Sequence, residues 1–445
     1  MIRRRFNDMK KMPQNDAMLE IKAKKLAKKR DREKIVLPDR ESFFKNKNNI
    51  VKLILFFLFF AVAVFFITRA VWLIVHKEPG WYTIDADADE NVPYYSSGIE
   101  FKYCMTGSSN EITIKLKEVK SAYENSLKTV YKLTDPVNKY ENVSNIASIN
   151  QKRGEDVKIS DELFSILSKA SDSKGEGYSP TDGVFVHFRD SLIYSEEHNR
   201  ESEEAFSSMI SDLRDVPDGG VTLTLDEKNE TARLDVTPEM KAFLDKYELN
   251  DCPLLDLGAL RRAFILRYVA DEMEKQGYRN GRLTSDDGLS VLLSENEESG
   301  VCLYSKIVTD EGSKGVVSAV RTCRGGSACA SFRIFGLYDE EYGFYSYNDG
   351  DKTVYRHKYE SSGDGDPCVY SILASDDGGD VVKAAAHALM LLSQSDPERV
   401  AELASSENDL NVVFETVGEP KVLYTTSAEG VAFSSDEGFV LRAYK

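Results

Sequence analysis

Residues 254–264 read LLDLGALRRAF, and four of them could do chemistry: Asp256, Gly258, Arg261 and Arg262. The stretch has the look of a strand end running into a helix, with both arginines in the helix's first turn. The helix macrodipole disfavours positive charge there. A chemical reason would be an anion: the guanidinium fork matches a phosphate, and a helix start offers free N–H donors. The plainer reason is a solvated face, or pairing with Asp271 and Glu274 on an amphipathic helix that turns Leu260, Phe264, Tyr268 and Met273 to a core. Adjacent residues diverge by about 100° around a helix axis. That divergence weighs against one shared ligand and favours the plainer reading.

Other chemistry-bearing patterns are sparse. Taken alone, His357 reads as an ordinary surface or core histidine. Asp85, Asp87 and Asp89 have the spacing that opens a calcium loop, but Glu90 stands where the turn needs glycine and Ser96 where a bidentate glutamate belongs, so solvated linker is the better reading. All six cysteines, Cys104, Cys252, Cys302, Cys323, Cys329 and Cys368, follow residue 76. Their even number permits disulfides, but spacing selects no pairing, and the absence of Cys-x-x-Cys argues against a zinc or thioredoxin-type site. There is no Gly-x-Ser-x-Gly elbow, since GGSAC at 325–329 lacks the last glycine, and no phosphate loop.

Charge and hydropathy set the frame for these residues. Residues 1–52 hold 17 Lys and Arg against 7 Asp and Glu, although the whole chain is −17. The apolar run LILFFLFFAVAVFFITRAVWLIV follows at 53–75, long enough as a helix to cross a bilayer. It is too long for a signal peptide and lacks a cleavage site. It reads as a single-pass anchor in the cell membrane, with the basic N-terminus cytoplasmic and everything after His76 extracytoplasmic. Arg69 is read as snorkelling to the headgroups. The stretch IKAKKLAKKRDREK at 21–34 reads as a solvated tail that sets topology, with contact to anionic lipid as the alternative. Residues 76–445 carry 39 basic against 67 acidic residues. That balance excludes a general nucleic-acid binder, which needs a basic surface.

The organisation read from this is a basic cytoplasmic tail (1–52), a transmembrane helix (53–75), a linker (76–99) and an extracytoplasmic domain (100–445). In the domain, NEITIKL reads as a strand followed by a helix over VKSAYENSLKTVYKL, and GGVTLTLDEKNETARLDV reads as a hairpin. SDELFSILSKAS opens a helix with a capping serine. Strands are expected at LSVLLS, VCLYSKIV, GVVSAVR, SFRIFGL and CVYSILA, and a buried helix at VVKAAAHALMLLSQ. This mixed order is α+β, not a doubly wound sheet.

Several of these segments, in order over about residues 100–415, resemble the FAD:protein FMN transferases, the ApbE-like flavin transferases. Tyr140, Ser144 and Asn150 in YENVSNIASIN are similar to the family's Tyr-x-x-x-Ser-x-Ile-x-x-Ile-Asn run. VKISDELFSILSKA and YSPTDG resemble its next helix and its Phe-Asp-Pro-Thr turn, with Pro180 and Thr181 kept. LLDLGALRRAFILRYVADEMEKQGYRNGRL is similar to its Leu-Asp-Leu-Gly-Gly-Ile-Ala-Lys-Gly-Tyr helix, including Gly277. VRTC, YRHKYESSGDGDP and AAAHALMLL resemble its Ala-Thr-Ser-Gly, His-Ile-Ile-Asp-Pro-x-Thr-Gly-x-Pro and Ala-Asp-Ala-Leu-Ala-Thr-Ala-Leu segments.

The resemblance implies a fold of mixed sheets with packed helices. It also implies an activity: cleavage of the FAD diphosphate and transfer of FMN to a Thr or Ser hydroxyl on a partner, a membrane-bound redox protein, with magnesium neutralising the phosphates. It assigns a catalytic position to His357, with Glu360, Gly365 and Pro367 in the same segment. Cofactor-binding positions fall to Tyr140, Ser144, Asp256, Gly258, Arg262 and Thr322. The departures gather at the metal. His387 stands at the family's metal-binding Asp and Leu391 at its Thr, and leucine cannot ligate while neutral imidazole is a poor magnesium ligand. No metal ligand is therefore expected, and magnesium is disfavoured while FAD is retained as the expected cofactor. Asp286, Asp287 and Gly288 match the family's Gly-Gly-Asp loop, its Lys and Gly have become Arg262 and Ala263, and a nearby Asp has become Arg267. Three functions follow: an anchored, active flavin transferase; an inactive relative that binds flavin or a partner; or an interaction domain that keeps only the fold. The lost ligands favour the last two.

Overall fold

The structure, a computed structural model, describes residues 47–443 apart from 88, 90–91, 95–97, 176–177, 194–199, 218–219, 294–297, 310–311, 334–343, 350–351, 358–367, 408 and 417–420. It falls into two compact units, Met1–His76 and Lys77–Lys445. In the first unit, the helix α1 (Lys47–Val75) contains a 20-residue stretch, Ile50–Arg69, that is long and apolar enough to cross a membrane and is nowhere buried against protein. An unburied apolar helix of this length has bilayer as its natural solvent. The basic stretch 21–34 lies outside the described residues.

The second unit begins with β1 (Gly80–Ile84), β2 (Ile99–Met105), α2 (Ser109–Leu133), α3 (Ile146–Gln151), β3 (Val157–Lys158) and α4 (Asp161–Asp172). Then come α5 (Gly183–Ile193), α6 (Arg200–Arg214), β4 (Val221–Asp226), β5 (Thr231–Val236) and α7 (Pro238–Lys246). A short 3-10 turn, Gly258–Leu260, leads into α8 (Arg261–Lys275), β6 (Gly281–Ser285), β7 (Leu289–Leu292), β8 (Glu298–Thr309), β9 (Gly312–Arg324) and β10 (Ala328–Arg333). The chain continues through β11 (Phe344–Asp349), β12 (Lys352–His357), β13 (Val369–Asp376), α9 (Val381–Leu392) and α10 (Pro397–Ser406). It closes with β14 (Leu410–Thr416), β15 (Val422–Thr425), β16 (Val431–Phe433) and β17 (Val440–Ala443).

A nine-stranded sheet in the order β1-β2-β6-β7-β10-β13-β14-β15-β17 forms the centre. Its pairs are antiparallel except the parallel pair β15–β17. Side chains alternate between faces along a strand, and the central strands bury both. On β13, Ile372 and Ala374 join the main core with α8 and α9, whereas Leu373 joins Leu303 of β8 and Val316 and Ala319 of β9 in a second cluster. β14 repeats the pattern, Val412 and Phe414 on one side and Val413 on the other. One face therefore carries helices, with α9 packed on β13 and β10 and α8 on α2, and the other carries the small sheet β16-β9-β8. Strands covered on both faces read as continuous apolar runs, which is why VYSILA was legible as a strand. The architecture is α+β, as expected.

Two local expectations are corrected. NEITIKL is not a strand but the opening of α2. Ile112, Val119 and Tyr123 are buried at helical spacing, and Glu111 accepts the Ser108 N–H at 2.7 Å, so capping and a period of 3.6 prevail over a short alternation. The segment read as a tether carries a strand, since Gly80–Ile84 of β1 pairs with Met105–Phe101 of β2. Its aspartates meet lysines of α2: Asp87 pairs with Lys120 at 2.5 Å and Asp89 with Lys128. Glu90 and Ser96 lie outside the described residues.

Candidate functional site: a cleft between two helices

Three segments that lie far apart in sequence are stitched together by buried hydrogen bonds. The Asn150 amide donates to Pro136 O at 3.1 Å and Leu255 O at 2.8 Å, and accepts from Leu254 N at 3.1 Å and Leu255 N at 2.8 Å. Asp256 N donates to Pro180 O at 2.9 Å, and Gly183 N to Leu254 O at 3.1 Å. YENVSNIASIN, YSPTDG and LLDLG therefore form one scaffold.

Within it Asp256 caps the turn before α8, its Oδ1 accepting the Gly258 N–H at 2.8 Å. Gly258 sits at φ +50°, a conformation that favours glycine. Desolvation pushes the Asp256 carboxyl above its ordinary pKa, opposed by the Gly258 N–H and by Arg261. Arg261 lies with its guanidinium 5.0 Å from the Tyr131 ring centroid and Nε 3.5 Å from Thr134 Oγ1, and its Nη2 is buried with no hydrogen-bond partner among the described residues. Arg262 turns the other way and meets Asp286 at 2.6 Å and Asp287 at 3.1 Å in the β6–β7 turn. In that turn Gly288 has φ +100°, and a Cβ there would stand 2.1 Å from Ser331 O, so the loop admits only glycine. The two arginines thus serve opposite neighbours, and the charge of Arg262 is already answered by two carboxylates. It is neither a solvated face nor a free phosphate clamp.

A cleft lies elsewhere on the scaffold, between α4 and α9. Its volume is ≈ 760 Å³, and its lining includes Phe164, Lys169, Tyr178, Lys383, His387, Met390 and Glu407. Small-molecule and cofactor sites run to about 300–1,000 Å³. Lys169 pairs with Asp380 at 2.6 Å, and Asp380 in turn caps α9 by accepting the Val382 and Lys383 N–H groups at 3.1 Å each. Lys383 stands 3.4 Å from Glu407 and 3.5 Å from Asp409.

Two residues of this lining carry buried polar atoms. Tyr178 is 7% exposed and His387 6%, and both Tyr178 Oη and His387 Nε2 are buried without a hydrogen-bond partner among the described residues. Leaving such atoms unpaired costs about 1–3 kcal/mol each, a cost that a ligand would relieve only if the side chains turn toward the cleft. Burial also lowers the His387 pKa, keeping the imidazole neutral at pH 7, and raises that of Tyr178. Asp182, near Tyr178, is pushed up to about 6 by desolvation, opposed by Lys174.

A divalent cation does not fit this donor set. Leu391 is fully buried hydrocarbon, and His387 offers one neutral nitrogen where magnesium needs several hard oxygens. Among the described residues no group of three His, Cys, Asp or Glu side chains is placed to hold a metal.

Of the positions named from sequence, His387 lines the cleft, whereas Asp256 and Arg262 do not. Tyr140 donates its hydroxyl to the buried Asp135 at 2.7 Å, across a turn whose tip, 137–139, is exposed. Ser144 is an exposed residue just before α3. Thr322 is an exposed residue of β9 whose N–H donates to Gly430 O at 2.8 Å. His357 ends β12, in register with Phe344, while Glu360, Gly365 and Pro367 lie outside the described residues. Arg267 donates to Gly379 O at 2.7 Å and pairs with Asp271 at 2.9 Å, tying α8 to the start of α9. Sequence reasoning missed Tyr178, Lys169 and Lys383. Lys169 and Asp380 stand 211 residues apart, and no local pattern announces such a meeting.

No protein-family model matches this chain, and no curated protein matches it. Among solved structures it is similar to the flavin transferase ApbE from Vibrio cholerae, at 15% identity and TM-score 0.45 over 75% of this chain and 94% of that one. It is also similar to the ApbE protein from Thermotoga maritima, at 15% identity and TM-score 0.49 over 77% and 96% of the two chains. A third is the apo form of the flavinyl transferase ApbE from Pseudomonas stutzeri, at 12% identity and TM-score 0.46 over 80% and 96%.

Proposed function

We propose that this chain is a membrane-anchored domain that binds a flavin nucleotide in the cleft between α4 and α9 and does not carry out metal-dependent FMN transfer. The observation that supports it most is that Tyr178 and His387, whose Oη and Nε2 have no hydrogen-bond partner among the described residues, line one cleft. A flavin ring offers alternating donors and acceptors along one edge and an apolar face, suiting a hydroxyl, a neutral imidazole and the apolar Phe164 and Met390. Lys169 and Lys383 are paired with Asp380 and with Glu407 and Asp409, so a phosphate in this cleft would have to displace those carboxylates. The segments around the cleft, VKISDELFSILSKA, YSPTDG and AAAHALMLL, are among those that resemble the flavin transferases.

Loss of transfer follows from the chemistry of the replaced positions. Diphosphate cleavage needs the developing charge neutralised, and Leu391 with a neutral His387 supplies neither ligand nor charge. In this reading α1 anchors the domain, the basic tail faces the cytoplasm, and a membrane-bound redox protein is a binding partner rather than an acceptor. The test is titration of FAD into the full chain in detergent, followed by flavin fluorescence with magnesium and again with a chelator. Saturable quenching that survives the chelator and weakens at least roughly tenfold, about 1.4 kcal/mol, in Tyr178→Phe/His387→Leu is expected. Absence of saturable binding overturns the proposal.

A further inference from the structure

Two cysteines outside the cleft stand in direct contact. Cys323, near the end of β9, and Cys329, near the start of β10, bring their sulfurs to 3.2 Å, and both are fully buried beside Leu292 and Val301. Between them the turn 324–327 is fixed by backbone bonds: Ser327 N donates to Arg324 O at 3.1 Å, Gly326 N to Leu292 O at 2.7 Å, and Leu292 N to Ser327 O at 2.9 Å. Their contact is therefore set by ordered backbone and not by a chance rotamer of a loose loop. Cys252 and Cys368 differ, their sulfurs lying against the backbone carbonyls of Pro253 and Gln394 at 3.5 and 3.2 Å.

We infer that Cys323 and Cys329 close into a structural disulfide that ties β9 of the small sheet to β10 of the nine-stranded sheet. The sheets otherwise meet through apolar packing and side-chain hydrogen bonds, Ser305 to Glu415 at 2.8 Å and Ser331 to Cys302 O at 2.9 Å, and a covalent link closes a short loop in the unfolded chain. The two sulfurs share one hydrogen bond in which either thiol can donate, and that shared proton makes one thiol of the pair easier to ionise than the other. Before packing covers the pair, the Cys323 thiolate attacks the disulfide of an oxidant, a small-molecule or protein disulfide, releasing one thiol and forming a mixed disulfide. Cys329 then loses its proton and displaces the second oxidant sulfur as a thiol. Two protein S–H bonds become one S–S bond, and the oxidant's S–S bond becomes two S–H bonds. An extracytoplasmic location, as proposed above, supplies such an oxidant, but the chemistry can be tested without it.

The full chain is equilibrated in glutathione buffer with the disulfide form in excess, acid-trapped, alkylated under denaturing conditions and digested with trypsin. Cleavage at Arg321, Arg324 and Arg333 separates the two cysteines. Peptides 322–324 and 325–333 are expected as one linked species, two hydrogens lighter than their sum and without alkyl label. Adding reductant to the oxidised chain should lower its unfolding midpoint, and the same addition should leave Cys323→Ser/Cys329→Ser unmoved. Recovery of both peptides alkylated, or each capped by glutathione, overturns the inference. The same digest on chain taken directly from membranes reports the compartment: linked peptides in buffer but not in membranes would refute the proposed orientation while leaving the pair's chemistry intact.

Discussion

The Arg262 guanidinium lies 2.6 Å from the Asp286 carboxylate, joining the first turn of α8 to the β6–β7 turn. With Asp287 also 3.1 Å away, the arginine that sequence placed at a phosphate is held by its own chain. Arg262→Ala should therefore cost roughly 1 kcal/mol of stability, the upper end for a half-exposed pair, and change FAD affinity by less than about twofold. Urea unfolding and flavin titration on one sample separate the two effects. Loss of flavin binding with stability intact would make Arg262 a ligand contact.

Asn150 saturates four backbone groups from two segments. Asn150→Leu strands buried donors and acceptors at about 1–3 kcal/mol each. A loss of at least about 3 kcal/mol in urea unfolding is expected. A loss under roughly 1 kcal/mol would show that the scaffold holds without this residue.

His387 titrates below its ordinary value because burial disfavours the charged ring. The unfolded chain takes up the proton first as pH falls, near 6.5. Its contribution is thus fully present above about pH 6.5 and is lost as pH falls from there toward the folded value. Wild type should lose stability with acid more steeply than His387→Gln, by at most about 1.4 kcal/mol per pH unit. Parallel stability curves for the two proteins between pH 7 and pH 5 would contradict the burial of a neutral imidazole.

Asp256 has the opposite sign. Its carboxyl is raised by desolvation, so above the unfolded value of about 3.9 the charged form destabilises the fold. Asp256→Asn keeps an acceptor for the Gly258 N–H and removes the charge. It should equal or exceed wild type in thermal stability at pH 7, with the gap closing below about pH 4. A clear destabilisation at pH 7 would mean that pairing with Arg261 dominates.

Much of the fold was legible because its signals are local. The apolar run of α1, the β4–β5 hairpin and the doubly buried run of β13 each carry their own pattern. NEITIKL misled because three alternating apolar residues fit a strand as well as a helix until the cap at Ser108 and Glu111 is weighed. The tether misled because β1 is an edge strand whose exposed face mimics linker composition. The site was legible only in part. His387 could be found by its place in AAAHALMLL, but its sharing a cleft with Tyr178 depends on distant segments folding together, a long-range relation that no periodicity encodes. The direction of Arg262 could not be read either, since Asp286 and Asp287 resembled a ligand loop.

The measurement that bears most directly on the account is the mass of an acceptor protein, carrying a threonine site of the flavin-transferase type, after incubation with the full chain, FAD and magnesium. The account predicts an unmodified acceptor in the same sample whose fluorescence reports bound FAD. An acceptor heavier by one FMN, with the gain abolished by a chelator, would contradict it.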